Sequence, residues 1–135
     1  MNKTLTFVES GAPSGGFTKE FAREVYDGQP VFHHRNFDEF FLTTSLAITG
    51  MNRWEYVVTD DNGKIQASMS IYREYDLHVG DCLSVLCAFS LEHTALIGGY
   101  RAMFSIAREN QIPFVAYTKS TGFREFSLKY KEVNL

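Results

Sequence analysis

Chemistry in this chain has to be sought in a few places. One is Ser90-Leu91-Glu92-His93-Thr94-Ala95-Leu96-Ile97-Gly98-Gly99, where an apolar stretch gives way to a helical pattern. An open helix N-terminus offers unpaired N–H groups and a favourable dipole to phosphate, and Gly98 and Gly99 would let a ligand approach the backbone. Tight packing of helix on sheet is the competing reading of the same glycines. His93 titrates near neutrality and could orient a ligand or act as a base, or simply be polar surface. His33-His34 are metal-ligating types, but adjacent ligands with no Cys or acid at fixed spacing make a poor signature, and no metal is expected. Glu74, Asp76 and Asp81 flank two expected strands, where carboxylates can move protons or merely solvate turns. Cys87 could hold an acyl group, yet no base is tied to it by sequence. An inert core thiol is expected.

These residues must be held by a chain of 135 residues, within the one-domain range and long enough for a core without disulfides or metals. A single domain over 1–135 is expected. Hydrophobic residues make up 44% and charged residues 21%, which argues against disorder. Twelve Phe residues point to a core or interface filled with large rings. The formal charge of −3 and the absence of a basic run disfavour a nucleic-acid partner. No apolar run reaches spanning length and no leader pattern precedes the first strand, so a membrane partner is not expected and the cytoplasm is. Cys82 and Cys87, at odd spacing in one strand, should point to opposite faces and stay reduced.

Hydrophobic periodicity gives the elements. Lys3–Val8 reads as a strand and Ser10–Gly16 as a loop, after which Thr18 can cap a helix carrying Phe21 and Val25. Asn36 with Glu39 has capping-box spacing before Phe37, Phe40, Phe41, Thr44 and Ile48. Trp54–Thr59 and Lys64–Glu74 form a hairpin through Asp60-Asp61-Asn62-Gly63, with Asn-Gly supplying positive φ angles. In the second of these strands Ile65, Ala67, Met69 and Ile71 face the core, while Gln66, Ser68, Ser70 and Tyr72 are free to line a groove. Cys82–Leu91 is apolar on both faces, with Leu83, Val85, Cys87, Phe89 and Leu91 on one and Leu86 and Ala88 on the other. Such a strand belongs mid-sheet. A helix over about 94–110 and a strand at Phe114–Thr118 follow, and in Ser120–Leu135 Phe126, Leu128 and Tyr130 alternate as in a strand while Phe123, Phe126, Tyr130 and Val133 fit a helical face.

This α/β order, β-α-α-β-β-β-α-β plus a short C-terminal helix or strand, resembles the GCN5-related N-acetyltransferase (GNAT) fold, a mixed sheet with an antiparallel meander. In that family the fourth strand leads into Arg/Gln-x-x-Gly-x-Gly/Ala, whose amides bind the pyrophosphate of acetyl-CoA. With Gly99 on the last position, Thr94 stands where Arg or Gln is usual and Ile97 where the first Gly is usual. The resemblance implies cofactor contacts from Cys87, Phe89, Thr94, Leu96, Ile97, Gly98 and Gly99. Tyr130-Lys131-Glu132-Val133-Asn134-Leu135 resembles the family's Tyr-x-x-x-Gly-Phe near the end of its fourth helix, which makes Tyr130 the candidate acid for the departing thiolate. If the tail is a strand, Tyr130 loses that role. Glu74 becomes the candidate base.

The function implied is acyl-CoA-dependent N-acetyltransfer to an unidentified amine, small molecule or protein. The alternative is a catalytically inactive GNAT-like binding or assembly protein, comparable with small phage proteins of the virion, working as a homo-oligomer or within a larger assembly.

Overall fold

A computed structural model describes residues 1–92 and 94–135, so His93, considered above as ligand-orienting or basic, lies outside the described residues. The strands are β1 (Asn2–Val8), β2 (Arg53–Thr59), β3 (Ile65–Asp76), β4 (Gly80–Ser90), β5 (Phe114–Gly122) and β6 (Glu125–Glu132). The helices are α1 (Lys19–Gly28), α2 (Phe37–Thr49) and α3 (Ile97–Glu109), with one 3-10 turn at Pro30–Phe32. The strands form one sheet in sequence order, and every neighbouring pair is antiparallel except β4 with β5. That single parallel pair needs a crossover, which α3 provides.

Local chemistry sets the boundaries. Thr18 Oγ1 accepts the Phe21 amide at 3.3 Å and Asn36 Oδ1 accepts the Glu39 amide at 2.8 Å, so both expected caps form. The β2–β3 hairpin forms with a different turn from the expected one. Asp60 Oδ1 takes the Asn62 and Lys64 amides, and positive φ falls on Gly63 but not on Asn62. α3 starts later than its apolar pattern, at Ile97, because Ala95 and Ile97 first close short turns onto Glu92 and Thr94. The tail resolves as a strand: β5 returns through a tight turn at Phe123-Arg124, with φ of 58° at Arg124, and β6 pairs along it from Glu125 to Glu132.

The sheet carries a core on each face. Met103, Ile106 and Ala107 of α3 pack on Val58, Met69, Ile71 and Leu83, while Phe21, Val25, Phe40 and Ile48 of α1 and α2 pack on Phe89. A β-bulge in β4 decides which residue joins which core. Val85 pairs with Ile71 and Cys87 with Ser70, which leaves Leu86 without a β3 partner. The extra residue flips the alternation. Leu83, Val85 and Ala88 therefore lie on the α3 side, and Leu86, Cys87 and Phe89 on the α1/α2 side. This corrects the expected single face from Leu83 to Leu91, and it puts Cys82 and Cys87 on the same face of the strand. The polar side of β3 is corrected too. Ser68 and Ser70 are buried, and Ser68 is covered by the backbone at Gly16.

A buried ion pair anchors the loop before α1. Arg53 Nε donates to Glu55 Oε2 at 2.7 Å, Arg53 Nη2 to the Ala12 carbonyl at 2.9 Å and Nη1 to the Met51 carbonyl at 3.2 Å. Glu55 Oε1 accepts the Gly15 amide at 3.1 Å. The two side chains sit two residues apart on β2, hence on one face, and the loop from Ser10 to Gly16 closes over them. Their charges are shielded by that loop.

Candidate functional site: a cleft between two diverging parallel strands

β4 and β5 pair only through Cys82–Phe114, Leu83–Val115 and Ser84–Ala116. Beyond that point Val85–Ser90 and Tyr117–Gly122 keep their outer partners in β3 and β6 but no longer pair with each other, so the sheet opens into a wedge. The bulge at Leu86 lies where the strands part, because a bulge bends and twists the strand that holds it. The wedge is where unpaired β4 backbone faces a ligand-sized space.

Both faces of the wedge are hollowed. On the α1/α2 side a cavity of about 460 Å3 is bounded by Phe32, Phe40 and Arg35 on one wall, by Leu86–Phe89 of β4 on another, and by Phe126 of β6. On the α3 side a smaller cavity of about 280 Å3 lies between Tyr100, Phe104 and Tyr117–Lys119, with the Tyr100 and Tyr117 rings 5.4 Å apart edge to face. The first volume falls in the usual range for small-molecule sites. Cys87 and Phe89, implied as cofactor contacts by the resemblance, line this larger cavity. Arg35 and Phe126 also line it and carry no mark in the sequence: one precedes a cap, the other sits in a tail of ambiguous period.

The first turn of α3 has no side-chain cap, and Leu96 occupies the N-cap position. Thr94 and Leu96 spend their carbonyls on the local turns, and Ile97 is 52% exposed. Gly98 and Gly99 have a packing duty that bears directly on their reading. A Cβ on Gly98 would collide with the Tyr56 hydroxyl, and one on Gly99 would come within 2.9 Å of the Tyr56 ring and 3.2 Å of Met69. The glycines thus seat the helix on β2 and β3. The Tyr56 hydroxyl is sealed beneath them without a hydrogen-bond partner. Gly98→Ala should cost about 1–3 kcal/mol by overpacking. Tyr56→Phe alone should be neutral or mildly stabilising, because it removes an unpaired buried hydroxyl. In the Tyr56→Phe background the Gly98→Ala loss should fall by at least half in urea unfolding; equal losses in both backgrounds would contradict this packing account.

Tyr130 lies on β6 opposite Ala116, and its hydroxyl donates to Asp76 Oδ2 at 2.9 Å with His78 Nδ1 at 3.3 Å. Of the two settings open to Tyr130 the strand is the one that forms, so the helical match to the family tyrosine does not apply. β5 and β6 join by a hairpin with no helix between them, and the hydroxyl turns toward the β3–β4 turn, away from the wedge. Partial burial and the Asp76 carboxylate raise the Tyr130 pKa. Amides of His78 and Val79, together with the tyrosine, hold Asp76 below its ordinary value. Glu74 pairs across with Cys82, five residues before Cys87, or roughly 15 Å by strand rise. Glu74 and Tyr130 are thus brought to the same end of the sheet, and not to the cavity. Asp81 is held by Arg73 in a two-point ion pair.

His33 and His34 turn their rings to the backbone carbonyls of Tyr26 and Val31. Among the described residues no three His, Cys, Asp or Glu side chains converge as a metal site would need. Burial pushes the Cys87 thiol up to about 11, against weaker lowering by Ser70. Any stability from this shift is complete below the unfolded thiol pKa of about 8.5 and is lost as pH rises toward the folded value. In a Cys82→Ser background, iodoacetamide labelling of Cys87 should keep rising about tenfold per pH unit from 8 to 10, since only thiolate reacts. A plateau above about pH 9 would show an ordinary thiol.

The wedge, the bulge at its root and the α3 crossover define a GNAT-like fold. Solved structures bear this out. An aminoglycoside antibiotic 6'-N-acetyltransferase of Acinetobacter baumannii matches with a TM-score of 0.56 at 11% identity, over 89% of this chain and 81% of that one. A provisionally assigned phosphinothricin N-acetyltransferase matches with a TM-score of 0.56 at 13% identity, over 99% and 100% of the two chains. A Bacillus halodurans protein, solved as a mutant, matches with a TM-score of 0.52 at 10% identity, over 87% and 83%. No protein-family model matches the sequence, and no curated protein is significantly similar to it. None of the helices is long and apolar enough to cross a membrane, within the described residues.

Proposed function

We propose that this chain is an acyl-CoA-dependent N-acetyltransferase, with acetyl-CoA lying between β4 and β5 and the amine entering from the α1/α2 side. The divergence of the two parallel strands after Ser84 and Ala116 carries the reading. Acetyl-CoA is extended, and a wedge of unpaired strand gives its pantetheine arm backbone groups to bond. The first turn of α3 has no side-chain cap, and although the Ile97 and Gly99 amides close local turns onto Thr94 and Leu96, its positive dipole end suits the pyrophosphate. Amides near the Leu86 bulge suit the thioester carbonyl, where negative charge grows during attack. The amine nitrogen attacks that carbonyl carbon, an N–C bond replaces the C–S bond, the amine proton goes to solvent and the thiolate is protonated from solvent. No step is assigned to Tyr130 or Glu74, which lie at the other end of the sheet.

Thermal unfolding with and without acetyl-CoA tests the reading. A ligand at 100 times its Kd stabilises by about 2.7 kcal/mol, which for a domain of this size is a rise of roughly 10 °C in Tm. An unchanged Tm at millimolar acetyl-CoA would rule the reading out.

A second reading is a non-catalytic protein of this fold that binds other proteins, as in a virion assembly or a homo-oligomer. Phe123, Phe126 and Leu128, each more than half exposed on the β5–β6 hairpin, favour it. Under this reading acetyl-CoA leaves the Tm where it is.

A further inference from the structure

The cavity on the α1/α2 side holds a feature that the transfer reading leaves unused. Among the described residues Arg35 is the one side chain in its lining that carries a formal charge at neutral pH. Its guanidinium lies 5.3 Å from the centre of the Phe40 ring, and Nη1 donates to Thr43 Oγ1 at 3.1 Å. Nε is buried with no hydrogen-bond partner. Among the described residues no carboxylate pairs with Arg35, although Arg23, Arg53 and Arg73 each have one. An arginine fork with unspent donors beside a hydrophobic wall is suited to a carboxylate carried on an apolar body. A plain cationic amine would meet repulsion there.

Resting on the acyl-transfer reading, we propose that the acceptor is an amino-acid-like amine with a ring-sized apolar side chain. Its carboxylate binds Arg35, its side chain packs among Phe32, Phe40 and Phe89, and its amine is left facing β4. These rings already pack on one another, with Phe32 and Phe40 centres 4.7 Å apart and Phe40 and Phe89 centres 6.1 Å apart, so a further ring continues the cluster. Arg35 is a binding residue in this account and takes no proton.

Calorimetry with two probes tests the proposal without any variant. N-acetyl-L-phenylalanine and N-acetylphenethylamine share the ring and the amide, and only the first has a carboxylate. The wild-type protein should bind the acid at least tenfold tighter. Arg35→Gln should abolish that preference, and Arg35→Lys should keep part of it. Equal binding of the two probes, or no binding of either, would overturn the proposal. A separate acetyl-CoA titration keeps the two ideas apart. Cofactor binding without discrimination between the probes sinks the acceptor class alone. Discrimination without cofactor binding sinks acyl transfer and leaves an Arg35 carboxylate pocket standing.

Discussion

Replacing Arg53 by Met should remove about 3–5 kcal/mol of folding stability, a large share of what a domain of this size has. Arg53 is fully buried and Glu55 is 4% exposed, so the substitution strands a carboxylate inside the protein. It also leaves the Ala12 and Met51 carbonyls without their donors. Most of the cost comes from the abandoned partner and less from the net worth of the pair. The double variant Arg53→Met with Glu55→Leu should therefore recover much of the loss in urea unfolding. A double variant as unstable as the single one would place the cost in the Ala12 and Met51 contacts instead. The loop from Ser10 to Gly16 should loosen in the single variant, seen as faster amide exchange at Gly15.

Phe40→Ala should cost about 3–5 kcal/mol as well, by transfer of the ring and by the cavity left behind. Phe40 is 1% exposed and packs against Phe17, Tyr26, Phe32 and Phe89. The hole would open into the larger cavity, because Phe40 is part of its wall. Phe40→Leu keeps much of the volume and should lose about half as much or less. Urea unfolding of both variants separates packing from backbone effects: equal losses would mean that the ring volume is not what matters.

The order of elements was legible in the sequence because local signals agreed with the tertiary ones. Thr18 and Asn36 cap the helices they promised, and the alternation of Phe126, Leu128 and Tyr130 was one of two periods that the tail allowed. The β4 bulge was not legible. Both faces of that strand are apolar, so inserting Leu86 breaks no hydrophobic pattern, and the faces of Cys87, Ala88 and Phe89 were misplaced by it. The glycines at 98 and 99 marked the right place, where α3 begins, but their spacing could not separate a phosphate cradle from a seat for Tyr56. Arg35 was invisible for a different reason. Its significance lies in the partners it lacks, which only the fold reveals.

The pairing of Tyr130 with Asp76 bears on how a site of this form would work. With the β5–β6 connection reduced to a hairpin, Tyr130 is held at the far end of the sheet from the wedge. Under the transfer reading proposed above, amine and thioester are placed by shape and backbone amides, and protons move through water. Alignment of reactants alone supplies a large part of many rate enhancements.

The most direct measurement is a crystal structure of the protein soaked or grown with acetyl-CoA. The account predicts density for the cofactor between β4 and β5, the thioester beside Val85–Cys87 and the pyrophosphate at the first turn of α3. Cofactor bound elsewhere, or a wedge empty at millimolar acetyl-CoA, would contradict it.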